Sequence, residues 1–102
     1  MKTFISMLAV TLVLAMALPA MAQDSEALYK SKCQVCHGAD GKGTAAGQKM
    51  GAKAFSSPEI TKMSDDELVA ATKKGKGKMP AYDGKLTDDQ IKGLVKYIRT
   101  LK

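Results

Sequence analysis

Both cysteines and the only histidine of the chain lie within five residues, Cys33-Gln34-Val35-Cys36-His37. Four kinds of site use such residues: a disulfide, a thioredoxin-like redox pair, a zinc site and a covalent cofactor attachment. A disulfide across two intervening residues closes a very small loop and would constrain the unfolded chain little. A thioredoxin-like pair needs a βαβ pattern and tetrahedral zinc needs four ligands. The sequence shows no strand periodicity and no second ligand pair, which disfavours both.

The remaining interpretation is covalent haem attachment, of which Cys-x-x-Cys-His is typical. Two cysteines three residues apart on a helical turn lie roughly on one side of the helix. Their sulfurs can therefore form thioethers with two vinyl groups along one porphyrin edge. The next residue, His37, is then placed to bond the iron. The motif predicts one haem c, attached through Cys33 and Cys36 and coordinated by His37.

A second axial ligand must be a methionine, because the chain has no second histidine. Met63 directly precedes a capping box, a position typical of a hydrophobic staple. Met50 lies in a glycine-containing loop and remains open as a candidate. Met79 follows Gly75-Lys76-Gly77-Lys78 and precedes Pro80. Glycines allow a loop to lie close to a flat ring and proline stiffens the backbone, so we expect Met79 to be the ligand.

The pattern of apolar residues and caps predicts an all-α domain. Helix signals occupy three stretches, residues 24–35, 64–74 and 87 to about 101. The last two begin with capping boxes, at Ser64 and at Thr87. Residues 38–58 contain five glycines and are expected to be mainly loop, which the one large aromatic side chain, Phe55, attaches to the core.

The first 22 residues have the three-part layout of a secretory signal peptide. A basic start precedes an uncharged run from Phe4 to Leu18, and Pro19-Ala20-Met21-Ala22 resembles a cleavage site. Fifteen helical residues reach about 22 Å, short of a hydrocarbon core of about 30 Å, which argues against a retained membrane anchor. We expect cleavage after Ala22, export to the periplasm and a single mature domain, residues 23–102.

The amino-acid composition of the predicted mature domain indicates that its side chains alone are too few to form a stable hydrophobic core. Four aromatic residues remain after the predicted cleavage, and a domain of 80 residues with so few large apolar groups usually needs a disulfide, a metal or a cofactor. A haem would supply this apolar volume.

The chain is basic, with a formal net charge of +6. Only one residue, Arg99, is arginine, and neither arginines nor aromatic residues cluster, so the composition does not favour nucleic-acid binding. Lysines instead concentrate before Met79. Four candidates for docking an acidic redox partner are Lys73, Lys74, Lys76 and Lys78. An ordinary solvated lysine face remains the alternative.

Together these segments resemble the class I cytochromes c, particularly the small bacterial periplasmic type. CQVCHGADGKG resembles their haem-binding segment, GKGKMPAY their methionine loop and LVKYIRTL their terminal helix. The resemblance implies three to four short helices around one covalently attached haem, in a monomeric carrier. It also implies that Tyr29 in the first helix packs against Leu94 and Tyr97 in the last.

The sequence departs from that family in three places. Ser25 stands where a small glycine is common at the helix crossing. No proline lies between His37 and Ser57, so the carbonyl that accepts the histidine Nδ1–H cannot be named. The chain has no tryptophan, so propionate partners cannot be transferred from other branches.

With both axial positions filled by protein, the iron has no open site for a substrate, which favours electron transfer over enzymatic chemistry. The alternative is a haem enzyme or a gas-binding or sensing cytochrome in which Met79 leaves the iron. Binding of carbon monoxide by the reduced protein at neutral pH distinguishes the two.

Overall fold

The computed structural model describes residues 25–101, so the predicted signal peptide lies outside the described residues. Within this range the backbone forms five helices. Helix α1 spans residues 25–37 and includes a π-helical segment, Tyr29–Cys33, followed by an α-helical turn, Gln34–His37. The others are α2 (Ala45–Lys49), α3 (Pro58–Thr61), α4 (Asp65–Lys74) and α5 (Asp88–Ile98).

The described part of the chain contains no β-strand beyond two isolated bridges, Lys76 to Met79 and Asp83 to Leu86. The all-α prediction is therefore confirmed. None of the helices between residues 25 and 101 combines the length and the hydropathy needed to cross a bilayer.

Helices α4 and α5 begin at the predicted capping boxes. The Ser64 hydroxyl accepts from the backbone N–H of Glu67 at 3.1 Å, and the Glu67 carboxylate accepts from the Ser64 N–H at 3.4 Å. Thr87 and Gln90 exchange the same pair of bonds at 3.1 and 2.8 Å. Each box satisfies N–H groups that have no partner inside the helix. Gly75 follows α4 with φ of 74°, a conformation that glycine adopts without strain.

Residues 38–58 are mainly loop, as predicted, but they include the short helix α2, which the sequence analysis did not predict. Thr44 caps this short helix, because its hydroxyl accepts from the N–H of Gly47 at 3.0 Å. Gly47 reads as a loop residue in the sequence, yet a glycine costs a helix only about 1 kcal/mol. Contact with α1 outweighs that cost. Helix α1 also continues past Val35 to His37.

The core lies between α1, α4 and α5. Tyr29 is fully buried, and its ring centroid lies 5.2 Å from that of Tyr97. The contact between Tyr29 and the terminal helix is therefore the one that the resemblance implied. Ile91, Leu94 and Val95 are buried along the same face of α5. This is the apolar stripe of period 3.6 read from the sequence.

The single arginine joins the end of α5 to the start of α4. Arg99 Nε donates to the Asp65 carboxylate at 2.6 Å, and its Nη2 donates to the Met63 carbonyl at 2.7 Å. Two acceptors in different directions suit the fork of a guanidinium group. Arg99 therefore fixes the position of the α3–α4 connection relative to the terminal helix.

We expect Ile91→Ala to lower the free energy of unfolding by about 2–5 kcal/mol, because it leaves a cavity in a fully buried position. The matched control is Ile60→Ala, the same chemical change at a half-buried residue of α3, which should cost less. Urea unfolding of the holoprotein measures both. Equal losses would contradict the placement of the core.

Candidate functional site

The two cysteines lie on adjacent turns of α1 and are not joined by a disulfide. Both side chains are half-buried. Burial, followed by the charge of neighbouring Cys36, raises the pKa of the Cys33 thiol to about 11. Reactive redox cysteines instead have lowered pKa values. The environment of Cys33 therefore disfavours the thioredoxin-like interpretation.

His37 is the last residue of α1, and its ring stacks on Phe55 with centroids 4.8 Å apart and planes 24° apart. Phe55 also lies 6.3 Å from Tyr29, which confirms that it attaches its segment to the core. Burial lowers the pKa of His37, so the imidazole is neutral at pH 7. A neutral imidazole is the form that binds metals.

The Nδ1 atom of His37 is buried and has no hydrogen-bond partner among the described residues. A metal-ligating histidine normally donates this second ring N–H to a nearby acceptor. The sequence has no proline in this loop whose carbonyl could be that acceptor, and the described residues supply no other acceptor to the buried Nδ1 atom.

The loop after His37 satisfies the carbonyl groups at the end of α1. The N–H of Gly43 donates to the His37 carbonyl at 2.7 Å, and the N–H of Thr44 donates to the Cys36 carbonyl at 2.9 Å. The Thr44 hydroxyl donates to the carbonyl of Val35 at 2.8 Å. These bonds fix the orientation of the turn that carries Cys36 and His37.

Gly47 of α2 packs directly on this turn. A Cβ atom at this position would lie 1.8 Å from the Cys36 carbonyl oxygen, closer than any real contact. Sequence reasoning missed both Gly47 and Thr44. The available signal was a capping residue followed by two alanines, Thr44-Ala45-Ala46, which is a helix start.

The segment with Met79 forms a tight loop. The backbone groups of Met79 and Lys76 exchange two hydrogen bonds, at 3.0 and 3.2 Å. A Cβ on Gly75 would lie 2.6 Å from the Met79 carbonyl oxygen, so this glycine allows the loop to close on itself. Met79 is half-buried, whereas Met50 is 45% exposed. Met63 is half-buried at the α3–α4 connection.

Tyr82 connects the Met79 loop to the helix that carries the cysteines. Its hydroxyl donates to the Lys32 carbonyl at 3.2 Å, across 50 residues of sequence. Burial raises the pKa of Tyr82, and the nearby Cys33 and Cys36 raise it further. Sequence reasoning missed this residue, although an aromatic three positions after the candidate ligand was a visible signal.

The four docking lysines differ in their surroundings. Lys73 forms a salt bridge with Asp88 at 2.9 Å, and this hydrogen bond raises the lysine pKa. Lys74, Lys76 and Lys78 are exposed. The structure thus separates one lysine that is paired with a carboxylate from three exposed lysines that precede Met79 in the chain.

The donor set fits a haem c. Such a cofactor requires two free thiols on neighbouring turns, a neutral imidazole and a thioether loop tied to the same helix, and the half-buried His37 supplies the imidazole. Within residues 25–101, no three His, Cys, Asp or Glu side chains converge as a metal-ion site would require.

Comparison with known proteins supports this interpretation. The family described as "Cytochrome C oxidase, cbb3-type, subunit III" matches residues 20–98. Cytochrome c6 of Leptolyngbya boryana is 35% identical over 74 residues, covering 70% of this chain and 81% of that protein. Cytochrome c-553 of Helicobacter pylori is 41% identical over 93 residues, covering 88% and 91%. The solved c-type cytochrome KustC0563 superposes with a TM-score of 0.72 at 34% identity, covering 78% and 98%.

We expect Gly47→Ala to destabilise the protein by about 1–3 kcal/mol, because the added methyl meets the Cys36 backbone. In an ordinary helix the same change stabilises by about 1 kcal/mol, so the sign of the effect is diagnostic. Urea unfolding measures it. The control, Ala46→Gly at an exposed neighbour in α2, should cost about 1 kcal/mol by propensity alone. A stabilised Gly47→Ala variant would refute the close packing.

Proposed function

The chain belongs to the class I cytochromes c, and on this basis we propose that it is an exported one-electron carrier that works in the periplasm. Members of this family are small proteins with one covalently bound haem c. In this proposal the protein catalyses no reaction of its own. The superposition on KustC0563 gives it the cytochrome c fold, with short helices around the cofactor.

In this proposal Cys33 and Cys36 would hold the haem through thioethers, and His37 and Met79 would bind its iron. The observation that carries the assignment of Met79 is the hydrogen bond from Tyr82 to Lys32, which holds the Met79 loop beside the cysteine-bearing helix. Met50 is a weaker candidate because its side chain is exposed. Met63 is a weaker one because it lies at the α3–α4 connection, where Arg99 binds its carbonyl.

When bound, the haem supplies one-electron redox chemistry at its iron. The residues of the chain restrict what else can happen there. Phe55 stacks on His37 and fixes the plane of the imidazole, while burial keeps that ring neutral and able to bind. Gly47 and Thr44 immobilise the turn that carries the ligand. Rigid ligands and a closed coordination sphere favour rapid exchange of an electron without chemistry on a substrate.

The proposed docking surface comprises Lys73, Lys74, Lys76 and Lys78. Three of these side chains are exposed in the segment that leads to Met79, while Lys73 is paired with Asp88 and contributes less. Positive groups at this place would steer an acidic redox protein toward the cofactor. A carrier must also release its partner quickly, so the expected complex is small, below about 1,200 Å². A monomer suits such a transient complex.

We expect Met79→Ala to lose the thioether–iron absorption band of the ferric holoprotein, because the variant removes the sixth ligand. Met50→Ala is the matched control at an exposed methionine and should keep the band, as should Met63→Ala. Optical spectra of both oxidation states measure this. Loss in Met50→Ala with retention in Met79→Ala would refute the assignment. Ready binding of carbon monoxide by the reduced wild-type protein would favour the gas-binding alternative.

We expect electron exchange with an acidic redox protein to slow by about tenfold or more between 0.01 and 0.15 M ionic strength, because the Debye length falls from about 30 to 8 Å. Replacing the three exposed lysines by glutamine should reduce this salt dependence. A control removes the same charge from three exposed lysines outside the docking surface, Lys62, Lys92 and Lys96. Stopped-flow kinetics measure the rates. A salt-independent rate, or equal effects of the two triple variants, would refute steering by this surface.

A further inference from the structure

Tyr82 is bound at three points that belong to different parts of the molecule. Its hydroxyl donates to the carbonyl of Lys32 in α1 at 3.2 Å. Its backbone N–H donates to the carbonyl of Thr72 in α4 at 3.1 Å. Its own carbonyl accepts from the N–H groups of Lys85 and Leu86 at 3.0 Å each. The residue therefore joins the Met79 loop to α1, to α4 and to the turn that precedes α5.

The side-chain bond reaches α1 next to the cysteine motif. Lys32 immediately precedes Cys33 and lies in the π-helical segment Tyr29–Cys33. In this segment the backbone bonding shifts to i→i+5, as shown by the Gln34 N–H donating to the Tyr29 carbonyl. π-Helical segments are frequent at functional sites. The Tyr82 hydroxyl thus contacts the irregular turn on which the first thioether cysteine stands.

The restraint on Tyr82 is transmitted to Met79 over a short and stiff stretch of chain. Only Pro80 and Ala81 separate the two residues, and proline holds its φ near −65°. On its other side Met79 is held by two backbone bonds to Lys76. Among the described side-chain hydrogen bonds of this loop, the one from Tyr82 is directed at the cysteine-bearing helix.

We propose that the Tyr82 hydroxyl is a positioning group that holds the Met79 loop against α1 and so limits how readily Met79 leaves the iron. This inference rests on the proposed role of Met79 as a ligand. The hydroxyl itself touches neither the iron nor a reacting atom. Its effect is on the equilibrium between a closed sixth position and an open one that another ligand can occupy.

The test is Tyr82→Phe in the ferric holoprotein, which keeps the ring and removes only the hydroxyl. We expect imidazole to displace Met79 with about fivefold higher affinity, the value of one hydrogen bond of about 1 kcal/mol. The loss of the thioether–iron band during an imidazole titration measures the affinity. The matched control is Tyr97→Phe, which removes the same group from a ring that packs on Tyr29 between α1 and α5. Its imidazole affinity should equal that of the wild type.

Urea unfolding of the same variants separates positioning from a general loss of stability. If the hydroxyl of Tyr82 only stabilised the whole fold, a Tyr97→Phe variant that lost the same free energy of unfolding would bind imidazole as tightly as Tyr82→Phe does. An unchanged affinity in Tyr82→Phe, or an equal increase in Tyr97→Phe, overturns the positioning role while leaving the ligand assignment intact. A thioether–iron band that persists in Met79→Ala overturns the ligand assignment itself, and the role of Tyr82 with it.

Discussion

One short helix carries Cys33, Cys36 and His37 within five residues, and the rest of the described structure keeps that helix in place. Tyr29 buries its ring between the helix and α5. Thr44 and Gly47 pack α2 against its final turn. Tyr82 ties the Met79 loop to its central segment. These contacts come from separate parts of the chain, so the geometry of α1 is determined by its neighbours more than by its own propensity.

Burial gives the same helix its chemical character. The pKa of Cys33 is raised and that of His37 is lowered, in each case because a low-polarity environment disfavours the charged form. A neutral imidazole can bind a metal, whereas a thiol with a raised pKa is poorly suited to redox exchange. Few large apolar side chains contribute to the core, and the haem c of this family provides the apolar surface that the polypeptide lacks.

Charged residues have two separate uses in this small domain. Arg99 and Lys73 form specific bonds that connect helices, the first to Asp65 and Met63 and the second to Asp88. The exposed lysines before Met79 have the second proposed use, which is to attract an acidic partner protein over a longer distance. A guanidinium can satisfy two acceptors at once, which explains why the only arginine serves the fold.

The sequence alone determined the features that depend on near neighbours. The spacing of Cys33, Cys36 and His37 indicates haem attachment, and the capping boxes at Ser64 and Thr87 locate two helix starts, because each rests on groups three or four residues apart. The choice of Met79 also follows from the loop around it and stays a prediction.

Only the tertiary structure decided the remaining contacts. From the sequence Gly47 is interpreted as a loop residue, and only the structure shows that the Cys36 backbone packs against it. Likewise, only the structure shows that the Tyr82 hydroxyl lies 3.2 Å from the Lys32 carbonyl. The pairing of Lys73 with Asp88 is equally invisible in a run of lysines. The physical reason is the same in each case: these interactions join residues distant in sequence, and no local pattern of spacing, propensity or charge encodes which distant group will arrive.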